Sequence, residues 1–304
     1  MGNSMSEKVS VVVPAYNAER YISETIDSLL AQDYPNFEII VVDDGSTDQT
    51  SEILSGYGTA IRVHRQVNAG QSAAMAVGWA MSDGALLGYL SADDRLKPEA
   101  VRRCVAALAT HPDAVLVYPD FNVIDESSGW VSTIRAPDFS RRALYRDLHC
   151  LPGPGALFRR VDYEAVGPWR SDLKQIPDLE FYLRLAFRGD FYHLAQVLAE
   201  FRKHPESTTY RVVPAERSEE PRQVVDLLYA RGDLPPDVSS WEKDARANAD
   251  LLSAAIHAHS HRALRAAQRL LSALATSRAA WSRKALAHAL LIARISVRIR
   301  GATP

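Results

Sequence analysis

The chain has 304 residues, 47% of them hydrophobic and 24% charged, with a formal net charge of −2. That balance excludes a disordered or fibrous polypeptide and fits one large domain with an extension, or two modest domains. Two cysteines, Cys104 and Cys150, exclude a disulfide framework and a cysteine-built metal site and point to a reducing compartment.

No apolar run approaches membrane-spanning length, and no signal-peptide core precedes the first apolar strand. The opening MGNSMS matches the loose myristoylation pattern through Gly2 and Ser6, although an ordinary or vector-derived leader accounts for it more simply. Charge is unevenly spread. Residues 251–304 carry nine Arg and Lys and no Asp or Glu, which leaves 26 basic and 37 acidic side chains before them, net −11. An acidic body argues against a nucleic-acid-binding core, while the basic tail leaves an anionic surface open as its partner.

Val9 to Val13 is a β-branched run that ends at Pro14, Ala15, Tyr16 and Asn17. Asn17 is suited to cap the amphipathic helix that follows, with apolar positions at Ile22, Ile26, Leu29 and Leu30. Phe37 to Val42 reads as a second strand, apolar throughout as in a parallel sheet covered on both faces, and it ends at Asp43 and Asp44. Ile61 to His64 is a third strand. After Asn68, Gly70 and Ser72 comes an Ala-rich helix reaching Met81, whose small residues permit close packing on a sheet. The segment LLGYLSADDRLKP, residues 86–98, is a fourth strand stopping at Ala92, Asp93 and Asp94, and Pro98 opens a helix over 99–109. Alternation of strand and helix predicts a doubly wound α/β half with its polar loops along one edge. Paired carboxylates at strand ends there either meet a ligand and a hard cation or cap the next helix.

The stretch PAYNAERYISETIDSLLAQDYPNFEIIVVDDGSTDQT, residues 14–50, resembles the N-terminal signature of family 2 glycosyltransferases with the GT-A fold. Asn68 with Gly70, the SADD loop and a segment around Asp178 follow in the family's order, so the resemblance spans about residues 8 to 210. It implies an α/β GT-A fold, Rossmann-like with a mostly parallel sheet flanked by helices, and an α-helical C-terminal extension. The expected division is a leader over 1–7, a glycosyltransferase domain over 8–213 and a helical region over 214–304.

By that resemblance, Pro14, Ala15, Tyr16 and Asn17 line a nucleoside pocket with Asp43 or Asp44 accepting from the base. Asn68, Gly70 and Ser72 offer backbone donors to phosphate, as helix N-termini do. The plainer alternatives are a packing aromatic for Tyr16 and a turn with a helix cap at Asp44. Family members often carry Arg-Asn where this chain has Met75 and Ala76, which removes a phosphate-side cation. The family's Asp-x-Asp metal loop begins here at Ser91, leaving Ala92 and Asp93 for the donor and Asp93 with Asp94 for Mn²⁺ or Mg²⁺. Such an ion would stabilise charge developing on the departing diphosphate.

Further along, Ala114 to Tyr118 continues the sheet, and Asp120 to Thr133 reads as a hairpin turning at Glu126 to Gly129. The glycines of LPGPGA, residues 151–156, allow close backbone approach to a ligand. In QIPDLEFYLR, residues 175–184, Asp178 falls at the family's catalytic position, and Glu180 inherits the role if the alignment slips. An inverting transfer needs a carboxylate to take the acceptor hydroxyl's proton, and Asp178 could equally cap the helix it precedes. FRKHPEST, residues 201–208, resembles the closing Tyr-Arg-x-His-x-x-Ser, bringing Arg202 to the donor diphosphate and His204 to the metal, or leaving both on the surface.

Beyond Pro214 the composition turns Ala/Leu/Arg-rich after a linker at Pro235 and Pro236, with apolar stripes through Leu251, Leu252, Ala255, Leu264, Ala267, Leu271 and Leu274. His257 and His261 are four apart, which fits a solvated helix face better than a metal site. Residues 281–300 form a basic amphipathic segment, suited either to an anionic membrane or to packing as a core or oligomer helix.

The sequence therefore predicts an inverting, metal-dependent hexosyltransferase. Its donor is a UDP, GDP or dTDP sugar, and its acceptor a glycan, lipid-linked or small molecule of envelope or surface glycan synthesis. It is placed in the cytoplasm, peripheral to the membrane's inner face. Two rivals are a degenerate nucleotide- or glycan-binding relative and a nucleotidyltransferase. The second is disfavoured because Pro14 to Asn17 is not a Gly-rich, cationic loop.

Overall fold

A computed structural model describes residues 7–207 and 211–281. The chain forms two compact units, Met1–Phe139 with Cys150–His204, and Ser140–His149 with Pro205–Pro304.

In chain order the elements are β1 (Val9–Ala15), α1 (Ile22–Leu30), β2 (Phe37–Asp43), α2 (Thr50–Ser55), β3 (Arg62–Arg65) and α3 (Gln71–Met81). There follow β4 (Leu86–Tyr89), β5 (Arg95–Leu96), α4 (Ala100–Thr110), β6 (Ala114–Ile124), β7 (Trp130–Ile134) and α5 (Arg141–Tyr145). The chain continues through β8 (Leu157–Arg159), α6 (Arg160–Val166), α7 (Pro177–Leu185) and β9 (Asp190–Arg202). Helices α8 (Glu220–Tyr229), α9 (Pro236–Ser240), α10 (Glu242–His259) and α11 (Ala263–Thr276) complete it.

The first unit is built on one sheet of order β3-β2-β1-β4-β8-β6-β9-β5, with β7 added to β6. β3, β2, β1 and β4 run parallel. β8 runs antiparallel to both of its neighbours, while β6 and β9 run parallel to each other. β1 lies between β2 and β4, so the chain leaves in opposite directions on its two sides and a crevice opens beyond the strands' carboxyl ends. Both faces are covered, which is why β1 and β2 are mostly apolar, Ser10 and Glu38 excepted. Ile22, Ile26 and Leu29 of α1 are fully buried, each contributing about 2 kcal/mol of apolar burial. On the other face Gly78 of α3 lets the helix backbone approach β1, since a Cβ there would stand 2.3 Å from Val12 Cγ1.

Several local expectations change. Asn17 does not cap α1. It adopts φ 48° and its Oδ1 accepts from Thr47 N at 2.8 Å, while α1 begins after Tyr21 with no side-chain cap. β6 runs unbroken through Asp120 to Ile124, and the turn at Asp125 to Gly129 is held by Asp125 Oδ1 accepting from Ser127 N and Gly129 N, each at 2.8 Å. β8 and most of β9 were not legible as strands, because mixed pairing leaves neither an alternating nor a continuous apolar run.

In the second unit α10 packs on α11 through Ala247, Leu251, Ala254, Ala258, Ala266, Leu270 and Ala273. Pro235 and Pro236 are not a linker, for Pro236 is the first residue of α9. His257 is fully buried, whereas His261 lies beyond the end of α10 at φ 60°, so the two share no helix face and His257 is not solvated. Leu264 and Leu271, expected on the buried stripe, are exposed. Among the described residues no helix is long and apolar enough to cross a membrane. The leader and the basic amphipathic segment lie outside the described residues, apart from Glu7 and Trp281.

Candidate active site

The loops after β1 and β2 are tied together before anything else is bound. Asn17 N donates to Ser46 Oγ at 3.0 Å, Ala18 N to Thr50 Oγ1 at 2.8 Å and Glu19 N to Asp48 Oδ2 at 3.1 Å. Gly45 at φ 75° permits the next approach, since a Cβ there would meet Asn68 N at 2.9 Å. Tyr16 and Asn17 stand exposed at this edge, with Pro14 half-buried and Ala15 buried beneath them. The 52% exposure of Tyr16 leaves its ring available to a flat ligand.

The two acids ending β2 are buried and do different work. Asp43 accepts from Ser46 N at 2.9 Å and from the Ser51 hydroxyl, with Arg65 Nε 3.5 Å away. Burial alone would raise its carboxyl, but the Ser46 and Ser51 hydrogen bonds and the Arg65 charge outweigh it and hold the pKa below the ordinary value. Asp44 receives Gln66 Nε2 at 2.7 Å, Ala69 N at 2.9 Å and Gly70 N at 2.7 Å. Gly70 N, one of the backbone donors expected to face phosphate, is therefore already taken by Asp44. Buried Ser72 is likewise engaged, donating to Leu173 O at 3.2 Å. Asn68 remains exposed on this loop.

Asp93 and Asp94 follow β4. Asp93 Oδ2 lies 2.8 Å from His204 Nε2, which unites two of the three residues expected to hold metal. The third is turned inward: Asp94 is 3% exposed and its Oδ1 accepts from Arg202 N at 2.8 Å. Burial, and then the Asp93 charge, push the Asp94 carboxyl well above its ordinary value, so a positive charge bound at this loop would favour its ionised form. Among the described residues no three His, Cys, Asp or Glu side chains gather as a metal cage. An oxygen–nitrogen pair at Asp93 and His204 still suits Mn²⁺ or Mg²⁺, which take one or two protein ligands beside phosphate oxygens and water.

Arg202 is fully buried instead of lying on the surface. Its Nε donates to Asp93 O at 2.9 Å, Nη1 to Ser128 Oγ at 2.9 Å and Nη2 to Glu24 Oε2 at 2.7 Å, with the Tyr21 ring 4.5 Å from its guanidinium carbon. The Tyr21 ring also lies 5.2 Å from that of His204. Arg202 thus braces Asp93, Asp94 and the hairpin turn at once. Tyr21, Glu24 and Ser128 were missed because each sits in a segment whose local pattern is fully explained as helix or turn.

At α7, Pro177 opens the helix and Asp178 follows in its first turn, Oδ1 accepting from Leu179 N at 2.9 Å. The Cys150 thiol lies 3.6 Å from Oδ2. Glu180 is buried and pairs with Arg184 at 2.7 and 2.8 Å, and Arg184 in turn donates to the carbonyls of Val166, Gly167 and Pro168. Tyr89, at the end of β4, links the two acidic regions. Burial raises its phenol well above the ordinary value, and the charge of Asp178 and, more weakly, of Asp94 adds to this. The Asp178 carboxylate also raises the Cys150 thiol above its ordinary value.

The sequence model described as Glycosyl transferase family 2 matches residues 10–167, just over half the chain. An uncharacterized glycosyltransferase of Rickettsia typhi is 32% identical over 215 residues, covering 68% of this chain and 67% of that protein. A Pasteurella multocida chondroitin synthase is 26% identical over 213 residues, or 67% of this chain but only 21% of that longer protein. Among solved structures, S. aureus TarS 1–349 in complex with UDP-GlcNAc aligns at a TM-score of 0.65 and 20% identity, covering 90% of this chain and 82% of the other. The mannosyltransferase PcManGT of Pyrobaculum calidifontis, in complex with GDP-Man and Mn²⁺, aligns at 0.61 and 19% identity, covering 96% and 81%. At such identities the structural likeness speaks for the GT-A-like fold.

Proposed function

We propose, from the fact that this chain belongs to glycosyl transferase family 2, that it moves a sugar with inversion from a nucleoside-diphosphate donor to an acceptor hydroxyl. The observation that carries this reading is the separation of roles among the acids. Asp43, Asp44, Asp94 and Glu180 are buried and engaged, whereas Asp93 and Asp178 are only partly buried at the sheet's carboxyl edge. The nucleoside lies against Tyr16, over Pro14, Ala15 and Asn17, with Asp43 beneath it and Asn68 beside it. Asp44, Gly70 and Ser72 set the shape of that wall, and Ala92 places Asp93. Asp93 and His204, with Asp94 behind, would hold Mn²⁺ or Mg²⁺, which when bound neutralises charge on the diphosphate. Asp178 takes the proton from the acceptor hydroxyl as its oxygen attacks the anomeric carbon, and the nucleoside diphosphate leaves from the opposite face.

Relatives carry UDP-GlcNAc and GDP-Man, and a donor of this kind is the substrate class proposed here, with a glycan, lipid-linked or small acceptor of surface glycan synthesis. A thermal-shift panel of UDP, GDP, dTDP and CMP, each with and without Mn²⁺, tests the donor site. Stabilisation by one nucleoside diphosphate, larger with Mn²⁺, is the expected result, by about 2.7 kcal/mol at a hundredfold excess over Kd. No response to any of the four would overturn the donor reading in favour of a degenerate relative.

A further inference from the structure

Asp178 has an asymmetric environment. Its Oδ1 is fixed by the backbone N–H of Leu179 at 2.9 Å, and its Oδ2 faces the sulfur of Cys150 at 3.6 Å. The second contact comes from the far side of the chain's excursion into the other unit, because Cys150 is the residue at which the chain re-enters the first unit. Leu151 to Ala156 then lead directly into β8. A thiol at hydrogen-bonding range is a donor to an ionised carboxylate, and a donor to the charged form favours that form. Tyr89 packs edge-on to Trp169 at 4.9 Å, and buried Tyr182 packs on Phe181 at 5.6 Å and on Phe191 at 6.0 Å.

We infer that Cys150 is a positioning residue for the base, its S–H donating to Asp178 Oδ2 and fixing the carboxylate plane relative to α7. The inference rests on the assignment of Asp178 as base and names what orients it. The thiol transfers no proton in the reaction. It stays protonated, since the adjoining Asp178 carboxylate holds the thiol above its ordinary value. A group that orients a base and favours its ionised form acts on kcat and on the acid limb of the pH–rate profile, and leaves donor binding unchanged.

Two measurements on the full chain test this. The first reads release of nucleoside diphosphate from UDP-GlcNAc and GDP-Man in wild type, Cys150→Ala, Cys150→Ser and Asp178→Asn. Cys150→Ala should lower kcat about five- to tenfold, move the acid limb to higher pH and leave the donor KM unchanged. Cys150→Ser, which restores a donor, should return both toward wild type. The second needs no turnover. Cys104 is 1% exposed, so iodoacetamide labelling reports on the exposed Cys150. Replacing the neighbouring carboxylate by Asp178→Asn should speed labelling several-fold at pH 8, since the thiol loses the charge that keeps it protonated. Equal labelling rates in wild type and Asp178→Asn would overturn the Cys150–Asp178 contact. An unmoved pH profile in Cys150→Ala, with Asp178→Asn inactive, would overturn the positioning role while sparing the base. Full turnover in Asp178→Asn would instead remove the base assignment on which the inference stands.

Discussion

Asp178 and Glu180 lie two residues apart on one helix turn, and their partners separate them. Glu180 is neutralised by Arg184 in a two-point ion pair that also gathers three carbonyls. Glu180→Gln should therefore cost about 1–3 kcal/mol of stability, leaving Arg184 without its counter-charge, while retaining turnover in the folded fraction. Asp178→Asn should do the reverse, leaving the melting temperature and donor binding near wild type and lowering kcat by about 10²–10⁴. Denaturant melts paired with single-turnover rates separate the two outcomes. Arg202 makes a third contrast. Its guanidinium meets Glu24, Ser128 and the Asp93 carbonyl in a fixed fork, so Arg202→Lys should fail to restore stability despite keeping the charge. A lysine variant as stable as wild type would contradict the bracing role.

At the scale of elements, β1, α1, β2, β3, α3, β4 and α4 follow from pattern, while α2 and the two-residue β5 between them do not. What pattern missed are segments whose pairing partners lie far away in sequence. β8 is three residues long and is a strand only because β4 and β6 flank it. Asn17 carries a capping side chain, yet a loop 30 residues on, at Thr47, claims it. Close packing of α3 on β1 is a sharper consequence of sequence. Gly78→Ala places a methyl 2.3 Å from Val12 and should destabilise by about 1–3 kcal/mol, despite alanine's better helix propensity. A neutral or stabilising result in a urea melt would show that α3 and β1 can part at little cost.

At the scale of the whole molecule, acid should act on the two units in different pH ranges. In the second unit buried His257 has Nε2 against Glu219 at 2.8 Å and Nδ1 accepting from Arg262 Nε at 2.9 Å, which fixes one tautomer of a neutral ring. Burial lowers its pKa from 6.5, against the raising influence of Glu219. The unfolded chain then binds the proton first, so this unit's stability is complete above about pH 6.5 and falls as the pH drops toward the lowered folded value. In the first unit Glu38 is depressed to about 2. Burial would raise it, but hydrogen bonds from Asp83 N, Ser10 and Lys8 prevail. Its contribution persists above the ordinary 4.5 and is lost as pH falls from there toward 2. Thermal melts followed by helical circular dichroism from pH 7.5 to 5 should show the first loss, and His257→Gln should flatten it. An identical pH slope in that variant would place the sensitivity elsewhere.

Apart from α2 and β5, the sequence by itself determined the order of β1 to α4, the family and the acids that end the strands, since those depend on local periodicity and on motifs of contiguous residues. It also carried the hairpin turn at Asp125 to Gly129, which one side chain closes. Only the tertiary structure decided which of those acids remain available. Asp44 is spent on the loop at Asn68, Asp94 on the backbone of β9 and Glu180 on Arg184. Arg202 serves as an internal brace, and Cys150, silent in the sequence, arrives beside Asp178. The reason is physical. A buried carboxylate or guanidinium must find partners wherever the fold supplies them, and those partners lie from 4 to 178 residues away along the chain.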